Sequence, residues 1–330
     1  MKPIDFLAIG DVVVDAFIRL HQASVHCNIN NSNCEICMPF AEKIPYEFVE
    51  EIAGVGNGPN AAVSAARLGL RSAMMTNVGS DENANKCISA FKKDGISTKH
   101  ITRHKGFKTN YHYVLWYEDE RTILVKHEAF KYKFVPPWRN PKWVYITSLG
   151  ADALEYQIEV AQWLEKNPDI KFAFQPGTFQ MLAGIDKLQT FYKKAEIFFC
   201  NVEESRRILK KEDGEIKDLL KAMHDLGPKN VIITDGPRGA YAYDGNDYWF
   251  MPTYPDPKPP YERTGAGDAF ASTVTAALAL GKPLSEALQW GPINSMSVVQ
   301  QVGAQKGLLT REKLEEYLRN APKDYNPRRI

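Results

Sequence analysis

The most informative stretch of the chain is RTGAGDAF at residues 263–270, which runs into a helix pattern of small residues. Gly265 and Gly267 flank Ala266 and let backbone amides turn toward a common point, because neither glycine carries a Cβ. A helix that begins there adds its free N–H groups and the positive end of its dipole, so the segment predicts an anion site. Asp268 stands at the edge of this site. It either caps the helix or takes a proton from a group that attacks the anion.

A second glycine cluster, GVGNGPN, occupies residues 54–60 and leads into AAVSAARLGL. Pro59 stands where a dinucleotide-binding fingerprint has its third glycine, and the chain has no GxxxxGK(S/T) sequence. Nicotinamide-dependent dehydrogenases and Walker-type NTPases are therefore disfavoured. Asn57 and Asn60 offer amide donors and acceptors at a helix start, which suits the binding of neutral hydroxyls. In isolation the same cluster is equally a helix cap followed by a turn.

Strand and helix patterns alternate through most of the chain. Apolar runs of strand length occur at 72–78, 143–147, 171–174, 197–200 and 231–234, with helix patterns between them. Strands separated by helices of this length pack into a mostly parallel sheet that is covered on both faces. The sequence therefore predicts an α/β fold with a Rossmann-like sheet flanked by helices.

Two strand-rich segments, 11–45 and 108–130, interrupt this alternation. NYHYVLWY at 110–117 and TILVKH at 122–127 flank a short charged turn, which is the strongest hairpin signal in the chain. Residues 35–44 also alternate as a strand. We expect the two segments to form a small β-sheet lid over the α/β core. The predicted core comprises residues 1–10, 46–107 and 131–330.

Composition excludes several classes of protein. The 330 residues include 41 Lys+Arg and 40 Asp+Glu, a net charge of +1, so there is no basic field for nucleic acid or an anionic membrane. No apolar run approaches the roughly 18 residues of a membrane helix. Asp5 and Asp11 interrupt the first apolar segment, which is unlike a secretion signal. Five cysteines, an odd number, indicate a reducing compartment, and the sequence predicts a cytoplasmic enzyme.

Weaker signals lie in the predicted lid. Cys27, Cys34 and Cys37, with a nearby histidine, are a set that structural zinc uses. Cys34 and Cys37 would face opposite sides of one regular strand, however, so three unrelated thiols are the preferred interpretation. We expect His112 to face solvent or to be hydrogen-bonded rather than to be catalytic.

Taken together and in order, the motifs resemble those of the ribokinase-like carbohydrate kinase family, which also includes fructokinase and adenosine kinase. The resemblance extends from about Ile4 to Leu308. GDVVVD at 10–15 is similar to the family's first-strand motif, whose last aspartate holds substrate hydroxyls, and residues 54–60 are similar to its N-terminal glycine motif. GSD at 79–81 matches its next helix. The resemblance implies a substrate site that contains Asp15, Gly56, Asn57 and Asn60.

Three later motifs are similar to the family's nucleotide and catalytic segments. NVEE at 201–204 is similar to an Asn-x-x-Glu motif that organises Mg²⁺ and phosphate, so Glu204 is the implied Mg²⁺ ligand, largely through water. TDGPRG at 234–239 resembles the nucleotide-binding turn, and TGAGD at 264–268 is similar to the C-terminal motif. Asp268 is thereby implied as catalytic base, with the amides of Gly265, Ala266 and Gly267 as the anion hole. The implied cofactor-binding residues are Asn201, Glu204, Thr234, Gly236, Gly239, Thr264 and Asn294.

The chain departs from the family pattern at three places, one of which is an insert around residues 26–38. Glu262 and Arg263 replace an Asp-Thr pair in a segment that often serves a monovalent-cation site, so K⁺ remains only a possible cofactor. Arg263 offers instead a fixed positive charge near the phosphates. Gln175-Pro-Gly replaces a common Asp-Pro-Asn.

The sequence and the resemblance therefore predict an ATP- and Mg²⁺-dependent kinase that phosphorylates a hydroxymethyl group of a sugar. A nucleoside (adenosine-like) kinase of the same fold is one alternative, mildly favoured by the Tyr and Trp residues of the lid. A non-catalytic sugar-binding regulator is the other, and the presence of Asp268 argues against it. We expect no nucleic-acid or membrane partner. We expect a homodimer formed through the lid, because pairing would bury the exposed edge and apolar face of a small sheet.

Overall fold

A computed structural model describes residues 3–28, 34–118 and 120–330. The strands in chain order are β1 (Phe6–Ile9), β2 (Val13–Leu20), β3 (Ser24–His26), β4 (Glu35–Cys37), β5 (Tyr46–Val55), β6 (Ser72–Val78), β7 (Ser97–Arg103), β8 (Asn110–Tyr117), β9 (Glu120–Leu124), β10 (Trp143–Ile146), β11 (Lys171–Phe174), β12 (Ile197–Asn201), β13 (Val231–Thr234), β14 (Ala240–Tyr243), β15 (Tyr248–Met251) and β16 (Arg328–Arg329). The α-helices are α1 (Asn57–Arg67), α2 (Glu82–Lys93), α3 (Leu154–Lys166), α4 (Thr178–Ala183), α5 (Gln189–Lys194), α6 (Val202–Leu209), α7 (Ile216–His224), α8 (Ala266–Ala279), α9 (Leu284–Val298) and α10 (Arg311–Arg319).

The larger of two main sheets has ten described strands in the order β16-β15-β14-β13-β12-β11-β10-β1-β6-β7. Neighbouring strands pair in parallel through β13, β12, β11, β10, β1, β6 and β7. Strands β14, β15 and β16 continue the sheet with antiparallel pairing. The central strands β1 and β10 are buried along their whole length. Their apolar composition on both faces is why the sheet must be covered on both sides. The predicted α/β class is confirmed.

Helices cover the two faces of this sheet with two separate cores. Residues of α1, α2, α8 and α9 pack in one apolar cluster with the sheet, and those of α3, α5, α6 and α7 pack in the other. The small residues of α1 and α8 let these two helices lie close together, and Ser64 of α1 contacts Thr273 of α8 inside the protein. This packing fixes both glycine-rich helix starts relative to each other.

The smaller main sheet has the order β5-β2-β8-β9, and a separate ribbon pairs β3 with β4. The predicted hairpin corresponds to β8 and β9. The predicted strand at 35–44 is only the short β4, and the lid sheet extends ten residues past the predicted boundary at residue 45, through β5. Most of the first six residues of β5 are exposed, and Glu47, Glu50 and Glu51 interrupt its apolar pattern, so it has little core signal.

The cysteines differ from expectation. Cys27 and Cys34 form a disulfide, whereas Cys37, Cys87 and Cys200 are free thiols. The prediction of unrelated thiols is therefore wrong for the first pair, and neither of its sulfurs remains as a thiolate for zinc. No group of three or more His, Cys, Asp and Glu side chains in the described ranges is arranged to hold a metal ion.

The described part of the chain has no α-helix that combines the length and the hydropathy needed to cross a bilayer.

Candidate active site

A cavity of about 590 Å³ lies between the carboxyl ends of the parallel strands and the inner face of the small sheet; we call it the larger cavity. The loops after β10 and β11 line it from below, as do the ends of β12 and β13. The small sheet lines it from above. The start of α8 closes one end, at the segment 264–267, which we call the glycine turn. Parallel α/β sheets commonly bind ligands at this edge.

Asp268 lies in this cavity and is held by three carboxamides. Asn57 donates from Nδ2 to Oδ1 at 2.9 Å, and Asn60 donates from Nδ2 to Oδ2 at 2.8 Å. Gln175 adds a longer bond of 3.3 Å to Oδ1. The N-cap of α8 is Gly265, so the alternative that Asp268 caps the helix is wrong. The two asparagines predicted to hold substrate hydroxyls orient this carboxylate in the structure described here.

Burial raises the pKa of Asp268 above its usual value. The amides of Asn60, Asn57 and Gln175 oppose this effect because they stabilise the ionised form, and the positive charge of Arg121 acts in the same direction. Asp268 is consequently a stronger base than a surface aspartate, yet its hydrogen bonds keep it oriented. Both properties suit proton abstraction.

The glycine turn brings backbone N–H groups to the same place. Gly265 has φ +79°, and a Cβ at this position would lie 2.2 Å from the Cβ of Ala304, so only glycine fits. The N–H groups of Ala266 and Gly267 belong to the first turn of α8, where they lack intrahelical acceptors. That of Ala266 makes only a long 3.5 Å contact to the carbonyl of Arg263. The predicted anion hole is therefore sterically possible.

Two further residues of the predicted site form a capping box at the start of α6. Asn201 accepts from the N–H of Glu204 at 2.8 Å, and Glu204 accepts from the N–H of Asn201 at 2.9 Å. Both line the larger cavity. Burial, and in smaller part the charge of Asp268, raises the pKa of Glu204. A divalent cation with oxygen ligands would relieve the repulsion between these carboxylates, so the residues fit Mg²⁺.

A smaller cavity of about 340 Å³ adjoins the first. Apolar side chains such as Tyr254 and Phe270 line much of it, as a planar base requires. It contains Gly236 and Gly239 of the predicted nucleotide-binding turn. The two cavities share the lining residues Thr234, Arg263, Ala266 and Gly267.

Asp15 projects from β2 into the larger cavity, where it meets His112 of the neighbouring strand β8. The distance from Asp15 Oδ1 to His112 Nδ1 is 3.4 Å. Neither Asp15 Oδ1 nor His112 Nε2 has a hydrogen-bond partner in the described part of the chain, although both atoms are buried. Buried polar atoms are nearly always paired, so these two indicate a polar ligand. The side chain of His112 is largely buried, so of the two alternatives predicted for it, the one in which it faces solvent is wrong.

Two of the implied cofactor-binding residues, Thr264 and Asn294, make hydrogen bonds to other parts of the protein. Thr264 lines the larger cavity, but its N–H and its hydroxyl both donate to Glu262, the N–H at 2.7 Å. Asn294 is fully buried in α9 and lines neither cavity. Its amide donates to Thr273 at 2.7 Å and its oxygen accepts from the N–H of Leu309 at 2.9 Å. These bonds connect α9 to α8 and to the segment before α10. Asn294 therefore has structural contacts in place of the predicted position beside the nucleotide. Gly56 lines the larger cavity.

Other residues of the larger cavity were absent from the predicted site. Arg121 and Ile123 of β9 face inward, in register with Trp116 and Val114 of β8. His127, further along the chain, forms a hydrogen bond between its Nδ1 atom and Oδ2 of Asp11 at 3.1 Å. In an extended segment, the side chains of residues 121, 123, 125 and 127 lie on one face, which the sequence predicts. The sequence does not predict whether this face or the opposite one is covered by the rest of the protein. Gln175 and Phe179 also line the cavity.

Comparisons with known proteins show which family the chain resembles. The sequence profile of the pfkB family carbohydrate kinases matches residues 39–311. A ribokinase of Haemophilus influenzae is 27% identical over 282 residues, covering 82% of this chain and 89% of that protein. The solved nucleoside kinase of Methanocaldococcus jannaschii is 20% identical with a TM-score of 0.80, over 97% of this chain and 100% of the other. A putative ribokinase II of E. coli, solved with ATP and Mg²⁺, is 17% identical with a TM-score of 0.74, over 96% and 99%.

The family match and the ribokinase relative define the class of this protein as a phosphotransferase with an alcohol group as acceptor. More particularly, the chain belongs to the pfkB family of carbohydrate kinases and has the ribokinase-like fold.

Proposed function

We propose that this protein transfers the γ-phosphoryl group of ATP to a hydroxymethyl group of a sugar, with Asp268 as catalytic base. The observation that carries the proposal is the position of this carboxylate. It is buried, oriented by Asn57 and Asn60, and lies in the larger cavity together with the glycine turn. A protein that only binds sugar has no use for a base at this place.

In the proposed reaction, Asp268 takes the proton of the acceptor hydroxyl. The acceptor oxygen forms a bond to the γ-phosphorus while the bond from that phosphorus to the β–γ bridging oxygen breaks, and ADP leaves with the electron pair. Positioned proton transfer contributes about 10²–10⁴ in rate. The N–H groups of Ala266 and Gly267 would donate to the phosphoryl oxygens, and one such donor contributes about 10²–10³ in kcat.

The nucleotide would lie across both cavities. Its base would occupy the smaller cavity beside Tyr254 and Phe270, and its phosphates would pass Thr234 and Arg263, which line both. Glu204 and Asn201 would hold Mg²⁺, mainly through water, and this ion would neutralise phosphate oxygens when bound. The E. coli relative was solved with ATP and Mg²⁺, which supports these two ligands for the present chain.

The acceptor would bind beneath the small sheet. Asp15 Oδ1 and His112 Nε2 would receive its hydroxyls, which can donate to the first and accept from or donate to the second. These neutral, directional contacts favour a sugar.

A nucleoside is the second candidate acceptor. Ile123 and Val125 line the larger cavity although these residues are 37% and 54% exposed. Phe179 lies on the same cavity wall, with its ring 5.7 Å from that of His127. A nucleobase attached to the sugar would cover this apolar surface, whereas a free pentose would leave it in contact with water.

An acceptor screen tests both candidates. ADP release is measured with Mg²⁺·ATP and pentoses, hexoses, keto-acid sugars or nucleosides, against ATP hydrolysis without acceptor as control. We expect one class to raise ADP release well above the control. Calorimetric binding of a sugar together with no ADP release from any acceptor would instead support the sugar-binding regulator and overturn the kinase.

A homodimer through the small sheet remains our proposal. Val49, Tyr113 and Leu124 lie on the face away from the cavity, and each is about half exposed, at 51%, 50% and 51%. The mass in solution, measured by light scattering, should be that of a dimer, and Leu124→Lys should shift it to that of a monomer. A monomeric wild type would contradict the proposal. We also propose a cytoplasmic location, which fractionation would test; the Cys27–Cys34 disulfide does not support it, because that compartment keeps most thiols reduced.

A further inference from the structure

Two identical dipeptides, Glu120-Arg121 in β9 and Glu262-Arg263 before the glycine turn, meet at the larger cavity. The Nε atom of Arg121 lies 3.8 Å from Oε1 of Glu262, and the Nε atom of Arg263 lies 3.8 Å from Oε1 of Glu120. Each arginine therefore faces the glutamate of the other dipeptide. This exchanged pair connects the small sheet to the segment that forms the anion hole.

Among the residues that the structure describes, only charge holds Arg121 in this position. Its two ion contacts, to Glu262 at 3.8 Å and to Glu120 at 3.7 Å, are longer than hydrogen bonds. Its Nε atom is buried and makes no hydrogen bond to any described residue. By contrast, Arg67 and Arg71 hydrogen-bond their carboxylate partners at 2.9 Å or less. A buried N–H without an acceptor is expensive, so the guanidinium of Arg121 is arranged for an oxygen that a ligand brings.

The charges of the larger cavity indicate which ligand this is. Three of its lining residues are carboxylates, namely Asp15, Glu204 and Asp268, and two are arginines, Arg121 and Arg263. A triphosphate entering beside these carboxylates needs compensating positive charge. Arg263 lines both cavities, so it lies along the path of the phosphate chain. Arg121 lines only the larger cavity, where the acceptor would meet the terminal phosphoryl group.

We propose that Arg121 is a further catalytic residue, whose guanidinium donates hydrogen bonds to the phosphoryl oxygens while the group passes from ATP to the acceptor. The proposal rests on the kinase function proposed above. Arginine presents several N–H donors in a planar fork that fits phosphoryl oxygens. Glu262 positions it, since the same carboxylate also holds Thr264 and accepts from the N–H of Gly303 at 3.3 Å. Because Arg121 belongs to the small sheet, it completes the site only when this sheet covers the acceptor.

The first test is Arg121→Gln, compared with Arg19→Gln. Arg19 belongs to the same sheet, packs on the Trp116 ring at 4.5 Å and lines neither cavity. We expect kcat for the acceptor to fall by about 10²-fold or more in Arg121→Gln, with a nearly constant acceptor KM. Arg19→Gln should behave as wild type. A role limited to joining the sheet to the core would raise the acceptor KM and leave kcat nearly unchanged, and that result would overturn the proposal.

Chemical rescue separates catalysis from folding. Guanidinium ion added to Arg121→Ala should restore at least about a tenth of the lost kcat at a concentration that leaves Arg19→Ala unaffected. Failure of rescue in a variant with a wild-type melting temperature counts against the direct role.

A binding experiment keeps this proposal separate from the kinase function. Calorimetry compares the affinity for Mg²⁺·ADP with and without aluminium fluoride, a planar mimic of the transferring phosphoryl group. Wild type should bind the fluoride complex more tightly than ADP alone, and Arg121→Gln should lose this gain and keep its ADP affinity. An equal gain in both proteins would overturn the role of Arg121 whether or not an acceptor has been found. An inactive wild type in the acceptor screen would instead overturn the proposed function.

Discussion

Replacing Gly267 by alanine should separate the stability of α8 from its chemistry. Gly267 has an ordinary helical φ, and a Cβ built on it meets no atom within 4 Å. The fold therefore accepts the methyl group, and the lower conformational entropy of alanine in the unfolded chain stabilises the helix by about 0.5–1 kcal/mol. For a protein of this size, the melting temperature should rise by about 1–2 °C.

The same methyl group should impair phosphoryl transfer. Gly267 lines both cavities, so the open space beside it is the space we assign to the phosphoryl group. A displacement of the reacting atoms by about 1 Å costs on the order of 10²-fold in rate. We expect kcat/KM for ATP to fall by about this factor, measured by ADP release, in a protein whose thermal unfolding shows it to be slightly more stable than wild type.

Gly265→Ala is the matched control. At this position φ is +79° and the new Cβ would lie 2.2 Å from the Cβ of Ala304, so we expect a loss of both stability and activity. The reasoning is refuted if Gly267→Ala gains stability and keeps the wild-type kcat/KM. In that case the first turn of α8 would not cradle the phosphoryl group.

Three further predictions concern the carboxylates of the site. In Asn60→Ala, loss of a hydrogen bond to the ionised base, about 1.5–3 kcal/mol, should raise the pKa of that base further. Because the base must be ionised to act, the acid limb of kcat/KM against pH should move up by about 1–2 pH units. Asn294 is also buried, and Asn294→Ala should leave the limb in place. An unshifted limb in Asn60→Ala would contradict the assigned base. Glu204→Gln keeps a side chain that can form the capping box but removes the charge. The Mg²⁺ concentration for half-maximal ADP release should therefore rise by about 10-fold, while the melting temperature stays unchanged. An unchanged Mg²⁺ requirement would exclude Glu204 from the metal site. Activity should be equal in K⁺ and Na⁺ salts, because Arg121 already faces the carboxylate of Glu262; strong activation by K⁺ would show that this charge does not replace a cation.

Much of the fold could be predicted from the sequence because burial determines the pattern. The strands at 72–78, 171–174 and 231–234 have the predicted bounds, since nearly all of their residues are buried. Strands β5 and β7 were missed for the opposite reason. Each lies at the edge of its sheet, and β7, with the sequence STKHITR, has no fully buried residue.

The site was predicted where chemistry lies in a local motif. Asp268, the glycine turn and the Asn201–Glu204 box are each contained within a few residues, and the structure brings them into one cavity. The roles of Asn57 and Asn60 were harder to predict because their contacts to Asp268 span more than 200 residues. Arg121 and His127 needed knowledge of which face of β9 and of its extension is covered, and only tertiary packing supplies that.

The central claim is that the Asp268 carboxylate accepts the acceptor's proton as ATP gives up its phosphoryl group. Single-turnover transfer by Asp268→Asn, with ATP affinity measured by calorimetry on the same preparation, tests it most directly. We predict that the rate falls by at least about 10²-fold while the affinity for ATP stays close to that of wild type. Transfer at the wild-type rate in this variant would contradict the account.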